Sequence, residues 1–78
     1  MNEIAIALLG ARKEQRMTQD EVIEKCNDTH PDVGGIVRPA LSFWEKGTRQ
    51  PSIVQFMALV TALEMPDNRV LEVLRGTL

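Results

Sequence analysis

The stretch WEKGTRQPS, residues Trp44–Ser52, decides how the rest of this chain is interpreted. A glycine directly after a helix is a frequent helix end, because glycine adopts the left-handed conformation without strain. A serine after a proline is a favourable helix start, because its hydroxyl accepts a hydrogen bond from a free backbone N–H group. The stretch therefore predicts one helix that ends at Gly47, a short basic loop, and a second helix that begins after Pro51.

A second helix start lies upstream in the stretch MTQDE, residues Met17–Glu21. Thr18 is a preferred N-cap residue, and Glu21 follows it at the spacing of a capping box, in which each residue bonds the backbone of the other. Gln19 then lies in the first helical turn. The sequence predicts a helix from about Gln19 to Cys26.

Hydrophobic spacing predicts two further helices and no strand. The five predicted helices, in chain order, comprise residues 3–15 with Asn2 as N-cap, 19–26, 39–46, the segment after Pro51 with its apolar face Ile53, Phe56, Leu59, Val60 and Leu63, and 67–75. Residues 27–35 contain Asn-Asp, His-Pro-Asp and Gly-Gly, so this segment is predicted to form a loop. The predicted fold class is therefore all-α, as a single compact domain over residues 1–78.

Charge is distributed unevenly along the chain. The net charge of −2 at pH 7 argues mildly against non-specific binding to nucleic acid. Within residues 36–51, however, Arg38, Lys46 and Arg49 stand against a single acidic residue, Glu45. The sequence therefore allows a basic surface on an acidic protein.

Composition also bears on the compartment. No apolar run is long enough to span a membrane, and the first residues show no signal-peptide pattern. Cys26 is the single cysteine, which excludes an internal disulfide and fits a reducing compartment. We therefore expect a cytoplasmic protein without a membrane partner, in which Cys26 fills the core.

A longer pattern carries a family resemblance. Its residues, in chain order, are Arg12, Gln19, Leu41, Trp44, Glu45, Gly47, Arg49, Pro51, Ser52, Ile53, Phe56, Leu59, Ala62 and Leu63. This pattern resembles the lambda-repressor/Cro-like (XRE-type) helix-turn-helix family over roughly residues 4–66. The resemblance implies a compact five-helix domain that binds double-stranded DNA with helix 39–46 in the major groove. It also implies a sequence-specific transcriptional regulator of phage or bacterial type, with repression favoured over activation.

The resemblance implies four base-reading candidates, Arg38, Ala40, Ser42 and Phe43. Arg38 would bond O6 and N7 of guanine, and Ser42 would bond a base or a phosphate. Ala40 and Phe43 would rest against thymine methyl groups. Pro39 stands where relatives often have a polar residue, so one hydrogen-bonding contact to the bases is missing.

The resemblance also implies contacts to the DNA backbone. Thr18 and Gln19 would bind a phosphate at the start of the second helix. Lys46, Thr48 and Arg49 would bind phosphates from the loop after the third helix. Such contacts fix the position of the protein on DNA but do not specify its sequence.

Several residues have structural interpretations. Arg12 and Glu45 match a pair that forms a salt bridge in relatives, and we prefer this role for Arg12 to a DNA contact. Trp44 is expected in the core. Phe43 has two open interpretations, contact with the DNA groove and packing against the 27–35 loop. Met17, Met57 and Met65 lie within or beside core stripes.

No catalytic, metal or cofactor site is expected. Ser42, Ser52 and His30 lack the spacing of a nucleophile and its base, and the glycines at 34–35 are not followed by the lysine of a phosphate loop. His30 is the only histidine and has no second ligand pattern beside it. We therefore expect no enzyme activity.

The sequence departs from the family pattern between the two motif helices. Gln19 and Glu45 are further apart than in relatives, and the surplus falls in residues 27–34. Ile23 stands where relatives have a small alanine, and Val37 occupies the N-cap position of the third helix. These differences predict an extended loop that lies outside the core, against solvent or a partner, and a third helix that becomes fully ordered on DNA.

Apolar residues in excess of one core predict a homodimer through the C-terminal helix. They are Ile6, Leu9, Val70, Leu71, Val73, Leu74 and Leu78. Two paired recognition helices one turn of DNA apart would gain affinity and read a palindrome. The alternative is an antitoxin-like or accessory helix-turn-helix module that acts mainly by binding another protein.

Overall fold

The computed structural model describes residues 3–33 and 35–77, and this part of the chain contains five α-helices and no strand. The helices are α1 Glu3–Glu14, α2 Gln19–Thr29, α3 Arg38–Lys46, α4 Ile53–Ala62 and α5 Asp67–Thr77. A short 3-10 helix, Pro31–Val33, lies between α2 and α3. The radius of gyration is 11.2 Å and the extents are 28 × 24 × 24 Å. The predicted compact all-α architecture is confirmed.

Two of the helices begin with a complete capping box. At α2, Glu21 N donates to Thr18 Oγ1 at 3.1 Å, and Thr18 N donates to Glu21 Oε1 at 2.8 Å. At α4, Gln55 N donates to Ser52 Oγ at 3.1 Å, and Ser52 N donates to Gln55 Oε1 at 2.8 Å. Each N-cap side chain of this kind stabilises its helix by about 1 kcal/mol. The starts of α2 and α4 are thus fixed by local sequence, as predicted for Thr18 and Ser52.

The two ends of α3 differ in how they are stabilised. Val37 is its N-cap and makes no side-chain hydrogen bond, as predicted, although the helix begins at Arg38, one residue earlier than expected. At the other end Gly47 has a φ of 78° in the left-handed region. Thr48 N donates to Phe43 O at 3.1 Å and closes the last turn. The predicted glycine stop is therefore present.

The predicted end of α2 at Cys26 is wrong, because the helix continues for three more residues to Thr29. Cys26 is buried, which holds this turn against the core. Thr29 Oγ1 donates to Lys25 O at 2.8 Å, and His30 N donates to Cys26 O at 2.9 Å. Tertiary packing here overrides the turn preference of Asn-Asp. The expected 27–35 loop is consequently shorter and begins at His30.

The rest of this connection is also held more firmly than expected. Ile36 is only 3% exposed and belongs to the core. The Asn27 side chain bonds both backbone groups of Ile36, with Nδ2 donating to Ile36 O at 3.1 Å and Ile36 N donating to Oδ1 at 3.0 Å. Pro31–Val33 packs against α2 and α4, and Val33 is partly buried against the core. Within residues 27–33, Val33 packs partly against the core and no side chain is buried, so the segment lies at the edge of the core, and contact with a partner stays a prediction.

A single hydrophobic cluster links the five helices. In this cluster α1 packs on α3 and α5, while α2 packs on α3 and α4. The largest fully buried side chains are Phe56, Leu8, Leu41, Leu59, Leu63, Val22 and Cys26. Trp44 and Met65 are buried as expected, and Met17 is partly buried.

The apolar face predicted for α4 is rotated in the structure. Phe56, Leu59 and Leu63 are buried and Val60 is partly buried, but Ile53 is 62% exposed. Small residues, Ala58 and Ala62, complete the buried face instead. Successive residues of a helix are about 100° apart, so Ile53 falls on the opposite side with Val54 and Met57, which are 59% and 45% exposed. Met57, expected within or beside a core stripe, therefore lies beside the core and is exposed.

The C-terminal helix uses most of its apolar side chains internally. Val70 and Val73 are buried, and Leu74 packs partly against the core. Leu71 of α5 and Ile6 of α1 remain exposed, at 52% and 51%. Helix α5 continues past its predicted end through Gly76. The residues Asn2 and Leu78, predicted as a cap and an apolar contact, lie outside the described residues.

None of the described helices has the length and apolar character needed to cross a membrane.

The Asn27 clamp on Ile36 leads to a stability prediction. We expect Asn27→Ala to lower the free energy of unfolding by about 2 kcal/mol, because two partly buried hydrogen bonds are lost. Urea denaturation followed by circular dichroism measures this change. Asp28→Ala is the matched control, since Asp28 is the exposed neighbour on the same helix and gains the same helix propensity. Equal stability of the two variants would show that the clamp does not hold the connection.

Candidate nucleic-acid interface

Helix α3 has one buried and one exposed side. Leu41, Trp44 and Glu45 point into the protein and are 0%, 5% and 7% exposed. Pro39, Ser42, Phe43 and Lys46 point outward, with Ser42 partly exposed and the other three exposed. These four positions fall within about a third of the helix circumference at 100° per residue. We call Pro39, Ser42, Phe43 and Lys46 the outer face of α3.

The predicted base-reading residues do not all lie on the outer face of α3. Arg38 borders it on the side of α2, with a side chain that is 61% exposed. Ala40 lies on the other side and packs partly against the core, so it is a poor candidate for contact with a thymine methyl group. Pro39 takes its place as an exposed apolar residue. The sequence carried this signal, because Pro39 precedes Ser42 and Phe43 by three and four residues and so shares their side of the helix.

Phe43 is covered on one side by a cation. The guanidinium carbon of Arg49 lies 4.9 Å from the centre of the Phe43 ring, a cation–π contact between α3 and the following loop. The ring remains 40% exposed. The ring thus faces outward beside Arg49, and contact with the DNA groove stays a prediction.

The last residue of α3 and the loop after it carry positive charge that forms no ion pair among the described residues. Lys46 and Arg49 are exposed, and no ion pair among the described residues includes either of them. Thr48 differs, because its hydroxyl donates to Phe43 O at 3.2 Å and helps to end α3. Lys46 and Arg49 are therefore the stronger phosphate candidates of this loop.

The start of α2 is already occupied by internal contacts. Gln19 Nε2 donates to Glu45 Oε1 at 3.0 Å, so this amide is turned towards the protein. The Thr18 hydroxyl accepts from Glu21 N within the capping box. Asp20 and Glu21 add two carboxylates to the first turn of the helix. This end of α2 is thus a weaker phosphate candidate than the resemblance implies.

A buried carboxylate sets the orientation of α3. Arg12 Nε donates to Glu45 Oε2 at 2.7 Å, and Arg12 Nη2 donates to Glu45 Oε1 at 2.9 Å. Arg12 Nη1 donates to the carbonyl of Met17 at 3.1 Å. The hydrogen bond with Glu45 raises the pKa of Arg12 above its ordinary value, against the opposing effect of burial. Together with Gln19, these contacts join α1, the start of α2 and α3.

Two other polar groups offer no chemistry of their own. Burial raises the pKa of the Cys26 thiol, which favours the neutral, unreactive form. His30 Nδ1 lies 3.0 Å from the hydroxyl of Thr29. In the described part of the chain, no three His, Cys, Asp or Glu side chains are grouped so that they could hold a metal ion.

An exposed apolar area lies away from α5. Ile53, Val54 and Met57, which we call the α4 patch, border a shallow groove against Val33 of the 3-10 helix. These side chains expose more apolar surface than the two exposed residues Ile6 and Leu71 near α5. The patch was not predicted, because Ile53 was expected on the apolar face of α4 and Met57 within or beside a core stripe.

Comparisons of the chain with protein-family models, with curated proteins and with solved structures found no match. The function is therefore inferred from the residues and their geometry.

The contacts of Glu45 lead to a second stability prediction. We expect Arg12→Ala to lower the free energy of unfolding by about 3 kcal/mol, because it leaves a buried carboxylate without its main partner. Thermal and urea unfolding measure the loss. Lys13→Ala is the control, since Lys13 is the exposed neighbour of Arg12 on α1. A loss no larger than that of Lys13→Ala would contradict a structural role for the pair.

Proposed function

We propose that this protein is a sequence-specific, double-stranded DNA-binding transcriptional regulator of the lambda-repressor/Cro-like helix-turn-helix type. The observation that carries the proposal is the outer face of α3, which borders Arg38 and continues into the free cations of the following loop. Glu45, the acidic residue of α3, is turned inward by Arg12 and Gln19. The exposed side of α3 therefore presents no carboxylate of its own to DNA.

In this proposal α3 enters the major groove, whose width accepts an α-helix. Arg38 bonds O6 and N7 of a guanine, the commonest specific contact of an arginine. Ser42 bonds a base or a phosphate. Phe43 and Pro39 contact thymine methyl groups with apolar surface. Four adjacent residues thus supply the sequence-dependent part of the interaction.

Contacts with the DNA backbone are assigned to the end of α3 and the loop that follows it. Lys46 and Arg49 neutralise phosphates, which gives affinity without sequence preference. The contact of Arg49 with Phe43 holds this cation beside the outer face of α3. The net charge of −2 opposes binding at long range, so we expect modest affinity that decreases steeply with salt.

Pairing of two copies offsets this modest affinity. We propose a homodimer through α5, with Leu71 and Ile6 as its exposed apolar contacts. Two recognition helices related by a twofold axis read a palindromic site. Repression requires only that such a site be occupied, so repression is the favoured direction of regulation. No catalytic activity and no cofactor are part of the proposal.

The DNA-binding role predicts different effects for two cations. The protein should bind random duplex at low salt. Lys46→Ala should weaken binding to all sequences, and the slope of log affinity against log salt should decrease by the amount expected for about one phosphate contact. Arg38→Ala should instead cost about 1–3 kcal/mol at one base pair of a site selected from random DNA. Fluorescence anisotropy at several salt concentrations measures both effects.

The control for these variants is Lys25→Ala, which removes a cation that pairs with Glu64 at 3.4 Å, apart from the outer face of α3 and from α5. It should leave the affinity and the selected sequence nearly unchanged. If wild-type protein fails to bind any duplex at low salt, the DNA-binding proposal is wrong. If Arg38→Ala selects the same site with the same discrimination, Arg38 does not read a base.

A protein-interaction module is the second candidate function, and the α4 patch is the observation that favours it. Exposed apolar patches on folded proteins often mark sites where another protein binds. In this alternative the helix-turn-helix is an antitoxin-like or accessory scaffold, and the α4 patch contacts the partner.

Two matched substitutions separate these candidate surfaces. With an α5 dimer, Leu71→Asp should weaken self-association by at least about tenfold, because it replaces a leucine that pairing would bury on each copy with a carboxylate. Val54→Asp, a comparable change in the α4 patch, should leave the dimer intact. Sedimentation equilibrium measures both constants. The reverse result would assign self-association to the α4 patch and remove α5 from the proposal.

A further inference from the structure

A second ion pair joins the two helices of the proposed DNA-binding surface. Arg38 Nη1 lies 3.7 Å from Asp20 Oδ2, and the two side chains are 61% and 73% exposed. An exposed pair of this kind contributes little to the stability of a fold. What the pair does supply is a negative charge beside the Arg38 guanidinium, which borders the outer face of α3.

We propose that Asp20 is a specificity-determining residue, which restrains Arg38 and reduces its attraction to DNA phosphates. This inference rests on the proposed DNA-binding function, because it concerns the same surface. Asp20 acts on the bases through Arg38 and is thus a positioning residue as well.

Asp20 is the carboxylate of this region that remains available to Arg38. Its neighbour Glu21 accepts the backbone N–H of Thr18 in the capping box. Glu45 is buried and bonded to Arg12. Asp20 makes neither kind of contact, and it projects from the first turn of α2 towards the start of α3. The Arg38 cation consequently has a carboxylate beside it, whereas Lys46 and Arg49 have none among the described residues.

The carboxylate affects the two possible DNA partners of Arg38 differently. A phosphate that approaches Arg38 also approaches Asp20, and the repulsion between the two negative charges offsets part of the attraction. Guanine O6 and N7 are uncharged acceptors and meet less repulsion. The ion pair runs through Nη1, so Nε and Nη2 can form a bidentate contact with guanine. Asp20 therefore lowers binding to any backbone more than binding to the correct base.

The test compares Asp20→Asn with a matched variant. Glu24→Gln removes the same charge one turn further along α2, from an exposed residue that forms no ion pair among the described residues. The probes are a duplex selected by the wild-type protein, its single-base-pair variants and a random-sequence duplex. Dissociation constants are measured for wild type, both variants, Arg38→Ala and the double variant with Asp20→Asn and Arg38→Ala.

We expect Asp20→Asn to change affinity and discrimination in opposite directions. Binding to random duplex should become tighter, while discrimination at the base pair read by Arg38 should fall by roughly threefold, part of the loss of about fivefold or more that a missing bidentate contact causes. In the Arg38→Ala background, Asp20→Asn should no longer change discrimination, because the two residues act as a pair. Glu24→Gln should leave discrimination unchanged. The Nε–Hε NMR signal of Arg38 should shift in Asp20→Asn and should not shift in Glu24→Gln.

The outcomes separate this inference from the function on which it rests. If wild type binds DNA specifically and Asp20→Asn keeps full discrimination, the role of Asp20 is overturned and the DNA-binding function stands. Equal losses for Asp20→Asn and Glu24→Gln also overturn it, since they would reflect total charge. If wild type binds neither duplex at low salt, the proposed function and this inference fall together. Circular dichroism of each variant verifies that the helices are retained.

Discussion

The arrangement of the helices depends on how the buried carboxylate of Glu45 is satisfied. An ionised carboxylate without partners is costly inside a protein, and Glu45 obtains its partners from Arg12 on α1 and Gln19 on α2. Rotation of α3 by one residue would turn it by about 100° and separate the carboxylate from both donors. A buried ion pair is weak evidence for stability, but here its geometry permits one orientation of α3. That orientation is what sends Phe43 and Lys46 outward.

A second constraint is the long path from α2 to α3. The chain accommodates its extra residues by adding a turn to α2, forming the 3-10 helix Pro31–Val33 and burying Ile36. Asn27 then bonds both backbone groups of Ile36, just before the uncapped start of α3. A side chain of α2 thus fixes the chain two residues before α3 begins. The extra length is absorbed by packing and does not form a free loop.

The features that could be predicted from sequence are those set by near neighbours in the chain. The caps Thr18 and Ser52 and the stop at Gly47 depend on backbone groups only a few residues away, so their residue types suffice. The exposure of Ile53 and the packing of Ala40 depend instead on how far each helix is rotated against the core. A hydrophobic spacing gives the period of a helix, but several rotations can satisfy it when apolar residues are abundant, as they are in α4.

The candidate site also has features that the sequence predicts and features that it does not, and here the difference concerns the pairing of charges. Lys46 and Arg49 can be recognised as cations of the loop from sequence, because they flank the glycine stop. The pairing of Arg38 with Asp20 cannot, because it depends on the path taken between two helices. One surface therefore carries two kinds of cation. Lys46 and Arg49, at the end of α3 and in the next loop, form no ion pair among the described residues, whereas Arg38 at the start of α3 is paired with Asp20. A cation without an ion pair can bind the phosphates of the DNA backbone, which are the same at every site. A paired cation gains most binding energy from a base that offers two correctly placed acceptors, as guanine does. In the proposed complex with DNA, the net negative charge of the protein keeps the total affinity modest. Contacts with the bases then contribute a larger share of that affinity than they would on a basic protein.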